Sequence, residues 1–220
     1  LPSGPRRRWC ERCGLLGRAP TRQEVETGSA EESPDAYGKS LARLIASPHC
    51  GGRWGRHGVD VARFGESHGY ESDNERPSAW TYRDAVIRAF NADLPFDTFI
   101  RHSIAGDVLQ GNDPLAVALT GFITSGSTVT NVDGADREKA KYDKLDDIVS
   151  ATGSAFLALT IGCARCHDHK YDPIAQRDYY RLVGFFLPGS ARDRQIAIGR
   201  SGSKVKGLAW NGGNKKNNPL

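Results

Sequence analysis

Apolar residues recur at helical spacing over most of the chain. Ser33-Pro34-Asp35 reads as a helix start, with a capping residue and a proline in the first turn. Tyr37, Leu41, Leu44 and Ile45 then fall on one face, and Pro48 is expected to end that helix. A second helix is predicted from Arg53 to Phe64, with Trp54, Val61 and Phe64 turned inward. A third spans about Ala79 to Phe90 and carries Trp80, Tyr82, Val86, Ile87 and Phe90. A fourth starts near Pro95, with Phe96, Phe99, Ile100 and Ile104 on its apolar side.

The pattern weakens over 106–134, where only one short helix around Leu115–Phe122 is expected. A long helix is then predicted from Arg137 to Leu159, weakened by Gly153, and it runs straight into Gly162-Cys163-Ala164-Arg165-Cys166-His167-Asp168-His169. A last helix spans about Ala175 to Phe186, after Pro173, with Tyr179, Tyr180, Leu182, Val183, Phe185 and Phe186. Residues 1–32 are rich in Arg, Gly and Pro without clear period, and 189–220 in Gly, Asn and Lys. Both read as flexible arms. Strand-like alternation is scarce. The prediction is a mainly α protein: a single helical domain over 33–188, with long irregular loops and flexible basic termini.

Composition narrows the class. Hydrophobic residues at 38% and charged residues at 25% argue against a disordered chain, a collagen or a coiled coil. The longest mostly apolar run, Ala151 to Cys163, falls short of the roughly 20 residues a membrane-crossing helix needs, so no transmembrane segment is expected. Arg6, Arg7 and Arg8 lead into no apolar stretch of a signal peptide. The chain contains no methionine, which reads as a processed product or a fragment of a larger multidomain protein.

The net charge of +4 is unevenly spread: residues 1–23 and 200–220 each carry +5, and the body between them −6. A nucleic-acid domain more often puts its basic stripe on the folded part, so solvated tails and no nucleic-acid partner are expected.

The chemistry concentrates in one segment. Among Cys10, Cys13, Cys50, Cys163 and Cys166 there are two C-x-x-C pairs, and only the second is followed at once by a histidine. Cys163-Ala164-Arg165-Cys166-His167 has the attachment pattern of a c-type haem. Two thiols three apart can reach the two vinyl groups on one porphyrin edge, and the adjacent imidazole can ligate the iron. Without methionine, the second axial ligand must be another histidine (His49, His57, His68 or His102), a weaker group such as lysine, or an open position.

Two rivals stand beside this reading. Cys163, Cys166, His167 and His169 could hold zinc or iron, with Cys10 and Cys13 as a possible distant pair and His57 as a further candidate ligand. Alternatively the cysteines are a disulfide or plain thiols, with His167 only hydrogen-bonded. Arg53, His57, Asp60 and Arg63 lie three or four apart on a predicted helix, which suits a salt-bridged face more than an acid–base site.

Several stretches together resemble a known family: Ser47-Pro48-His49, RWGRHGVDVARFGESHGYE (53–71), RPSAWTYRDAVIRAFNADLPFDTFI (76–100), and LDDIVSATGSAFLALTIGCARCHDHKYDPIAQRDYYRLVGFF (145–186). They are similar to the cytochrome c-associated domain of unknown function in the large planctomycete paralogous family, with GCARCHDHK the most specific piece. The resemblance implies a periplasmic, cell-envelope or secreted bacterial protein. Its partner would be a cytochrome c domain or another redox protein, and a glycan is expected through neighbouring domains. It matches Cys163, Cys166 and His167 to the motif in full, and supplies no reaction. Cys50 and Gly58 depart from the family's usual aromatic and Trp. The expectation is an electron-transfer or accessory domain rather than a self-sufficient catalyst, with a metal-stabilised binding domain as the alternative.

Overall fold

The computed structural model describes residues 5–31, 33–70, 72–198 and 203–211. The helices are α1 (Pro5–Leu16), α2 (Arg22–Ser29), α3 (Ala36–Ile45), α4 (Pro48–Val61), α5 (Trp80–Asn91), α6 (Phe96–Leu109), α7 (Pro114–Leu119), α8 (Gly121–Thr124), α9 (Arg137–Thr152) and α10 (Gln176–Phe186). Two strands follow, β1 (Ser190–Ile198) and β2 (Ser203–Asn211). The class is mainly α, as the spacing predicts. By their contacts the residues divide into two compact units, Leu1–Gly58 with Val86–Leu94, and Val59–Ala85 with Pro95–Leu220.

In the first unit the expected loose arm is helical. Thr21 caps α2 through its hydroxyl on the Glu24 backbone, while the Glu24 carboxylate reaches back to the Thr21 N–H. That backbone hydrogen bond, ahead of the Arg12 charge, holds the Glu24 carboxyl below the usual range. Arg12 pairs with Glu24 and donates to the Ala19 carbonyl, which ties α1 to the start of α2. Leu16 and Leu44 are buried. Pro48 does not simply stop α3. It opens α4, because proline is well placed at the first position of a helix.

Trp54 and Val61, expected inward, are exposed. The buried positions of α4 are glycines instead. A Cβ on Gly51 would meet the Ile87 carbonyl at 2.7 Å, so only glycine lets this backbone approach α5 so closely. Asn91 seals the contact: its Oδ1 accepts from the Gly51 N–H and its Nδ2 donates to the Pro48 carbonyl.

In the second unit the core runs through a segment expected to be largely irregular. Every residue from Ala116 to Ser125 is buried. An all-buried stretch shows no amphipathic period, which is why its sequence hides it. Asp113 caps α7 by accepting from the Leu115 N–H, with Pro114 at the first position. Beyond α8, Arg76 donates to the carbonyls of Thr124 and Ser125 and so satisfies the open end of that helix.

The C-terminal segment also departs from expectation. Residues 190–198 and 203–211 pair antiparallel, from Ser190 with Asn211 to Ile198 with Ser203. The hairpin contacts α7 and α8 and buries Ile196. Residues 212–220 of the expected tail lie outside the described residues. No helix among the described residues is long and apolar enough to cross a membrane.

Candidate functional site

The segment between α9 and α10 carries the C-x-x-C-H motif. The long helix predicted to Leu159 stops at Thr152, and a π-type turn, Gly153–Leu157, takes over. A Cβ on Gly153 would lie 2.7 Å from the Ile161 side chain. The glycine therefore makes room for the returning chain. Ala158 closes the turn in the left-handed conformation, at φ 54°. A short 3-10 turn, Ile161–Arg165, follows.

That 3-10 turn sets the display of the motif. Its side chains repeat every three residues. Ile161 and Ala164 are buried, while Cys163 and Cys166 are both exposed thiols. Both thiols are thus open to solvent. Among the described residues all five cysteines are free, so the disulfide reading is not realised.

Arg165, between the two cysteines, anchors the turn. Its guanidinium donates to Asp146 at 3.0 Å and to Asp143 at 2.8 Å, both on α9. Its carbonyl accepts from Gln176 Nε2 and from Tyr180 Oη, both on α10. These hydrogen bonds to the Asp143 carboxylate, and then to Asp146, push the Arg165 pKa further up. Tyr179 donates to the other Asp146 oxygen at 2.5 Å. Burial, and then that carboxylate, raise the tyrosine's own pKa. These anchors were not singled out from the sequence. The acid pair at 143 and 146, one helical turn apart and ahead of an arginine inside the motif, was the available signal.

The two motif histidines have different surroundings. His167 is exposed, and its Nδ1 lies 2.7 Å from the Asp168 carbonyl oxygen. Nδ1–H donates there, which fixes the tautomer and leaves the Nε2 lone pair outward for a ligand. His169 is only 5% exposed at its side chain. Its Nδ1 accepts the Asp172 N–H at 2.9 Å and the Tyr171 N–H at 3.3 Å. The remaining hydrogen therefore sits on Nε2 and meets Thr160 Oγ1 at 3.0 Å. With both nitrogens hydrogen-bonded, His169 clamps the loop between Thr160 and Asp172.

The expected metal set is not gathered. Among the described residues no three His, Cys, Asp or Glu side chains converge as ligands to one ion. His57 is exposed on α4, with the Trp54 ring 5.6 Å away. Arg63, expected on a local salt-bridged face, pairs instead with Asp147, with Nη2 to Oδ2 at 2.9 Å. Cys10 and Cys13 are exposed on α1, and Cys50 is half-buried. In the motif's own unit, His68 and His102 each have a buried Nδ1 without a hydrogen-bond partner.

Cys163 and Cys166 are exposed free thiols, and His167 has Nδ1 engaged by the Asp168 carbonyl. A mainly α domain displaying this motif on an anchored turn is thus the class that fold and site define. Residues 5–190 match the family PSCyt2, a protein of unknown function (DUF1549), and the chain belongs to that family. The match takes in α1 and α2, so the presumed arm is part of the family domain. No curated protein and no solved structure matches the chain.

Proposed function

We propose that this domain is an electron-transfer module that holds a c-type haem through thioether bonds from Cys163 and Cys166, with His167 as proximal ligand. One observation carries the reading: His167 gives Nδ1–H to the Asp168 carbonyl and keeps Nε2 open, beside two exposed free thiols. When bound, the haem supplies one-electron storage. Cys163 and Cys166 would hold it covalently, each thiol adding its sulfur to one vinyl carbon and its hydrogen to the other. Nothing leaves and no oxidant is consumed, so the residues must stay reduced until attachment. Arg165 holds the turn still through its bonds to Asp143 and Asp146. His169 closes the loop behind the ligand.

This reading carries an envelope, periplasmic or secreted location, where thioether attachment takes place. It carries a cytochrome c domain or other redox protein as partner, and a planctomycete source for the GCARCHDHK motif. A glycan enters through neighbouring domains.

The test is export to a periplasm with cytochrome c maturation, followed by a pyridine haemochrome spectrum. A thioether-type spectrum, lost in Cys163→Ala/Cys166→Ala, is the expected result. A colourless protein holding stoichiometric zinc or iron would sink it and favour a metal-stabilised structural or binding domain.

A further inference from the structure

We propose that the cleft between α9 and the segment 127–132 binds a small hydroxylated organic anion, through Arg137, Lys141 and Lys144. The cleft has a volume of roughly 430 Å³. That is in the lower part of the roughly 300–1,000 Å³ range of small-molecule pockets. It is the size for a monosaccharide acid and generous for an inorganic ion.

Charge selects the ligand class. Arg137, Lys141 and Lys144 recur along one face of α9 and line the cleft. Two acids, Asp143 and Asp147, share the wall, but each is already engaged. Asp147 pairs with Arg63, and Asp143 with Arg165. None of the three cations has an ion-pair partner among the described residues. Solvated lysines on an open helix face would need no partner. Lys144 is half-buried, however; Arg76 adds a positive charge to its surroundings, and the nearby Asp147 is already held by Arg63. Burial that a carboxylate shared with Arg63 only partly offsets disfavours an ammonium group, and a bound anion relieves that cost.

The opposite wall supplies hydroxyls and an aromatic ring. Ser127, Thr128 and Tyr70 line it, with Tyr70 largely exposed. The Thr128 N–H donates to the His68 carbonyl at 3.0 Å, which fastens this wall to the turn bearing Tyr70. Tyr70 itself holds φ 59°, a left-handed conformation a side chain rarely adopts. Carboxylate, phosphate and sulfate esters share the acidic oxygens this cleft calls for.

The test is titration calorimetry on the full chain at low ionic strength. Glucuronate, glucose 6-phosphate and glucose 6-sulfate are the probes, with glucose and inorganic phosphate as comparison arms. At least one charged sugar is expected to bind, glucose not at all, and inorganic phosphate at least tenfold more weakly. Lys141→Gln/Lys144→Gln should cut affinity at least tenfold, while Lys144→Arg retains most of it. Arg137→Gln, at an exposed position, gives a second reading should the double variant fail to fold. Silence from all three charged sugars, equal binding of inorganic phosphate, or unchanged affinity in a folded charge-removing variant would each overturn the proposal.

Discussion

The two motif histidines lie two residues apart and have opposite fates. His167 turns an open nitrogen to solvent, and His169 spends both nitrogens on Thr160, Tyr171 and Asp172. Spacing made the cysteines and His167 legible, because covalent attachment demands that spacing. It could not reveal His169's partners, since they meet only once residues 160–172 have looped back. His169→Ala leaves backbone N–H groups without an acceptor. It should cost about 1–3 kcal/mol in a urea melt, whereas a purely ligating residue would leave the apo protein's midpoint unchanged. His68 gives a pH signature. Burial first, and then the charges of Arg76 and Lys144, hold its pKa below 6.5. The folded protein thus takes up that proton less readily than the unfolded chain. The stability at stake is intact above about pH 6.5 and declines as pH falls from there towards the folded value. His68→Gln should flatten this decline between about pH 7.5 and about pH 5.5. A variant whose midpoint drops as steeply as the parent's would remove His68 from the account.

Among the elements, those with an apolar stripe were readable and those without one were not. α3, α5, α6, α9 and α10 lie where the spacing predicts, although α9 ends early where Gly153 admits Ile161. Of the expected faces, Tyr37, Ile45, Phe90 and Phe96 are exposed, and α6 buries His102, Ser103 and Gly106 instead. α1 is rich in arginine and has no apolar stripe. It is held by Arg12, Glu24 and the buried Leu16 rather than by its own pattern. α7 and α8 are buried all round, so no period marks them. The hairpin was hidden by composition: Gly, Asn and Lys suggest a tail, yet Ile196 reaches the core. Ile196→Ala therefore tests the hairpin. A docked strand predicts a loss of about 2–5 kcal/mol in a denaturant melt, and a loose tail predicts none.

At the scale of the whole molecule, the second unit holds the motif's short turn between two helices. α9 offers Asp143 and Asp146, α10 offers Gln176 and Tyr180, and Arg165 joins them beneath the cysteines. The other face of α9 lines the cationic cleft, and Asp143 belongs to both sites. The family match across 5–190 takes in the turn with α9 and α10 and stops at the start of the hairpin, so this arrangement belongs to the family domain. The central claim is that one haem bridges Cys163 and Cys166. Trypsin tests it directly, because it cuts after Lys144, Arg165 and Lys170 and so parts the two cysteines. Mass spectrometry of the exported, matured protein should find peptides 145–165 and 166–170 joined through a single haem. Two separate peptides with alkylatable thiols would contradict it.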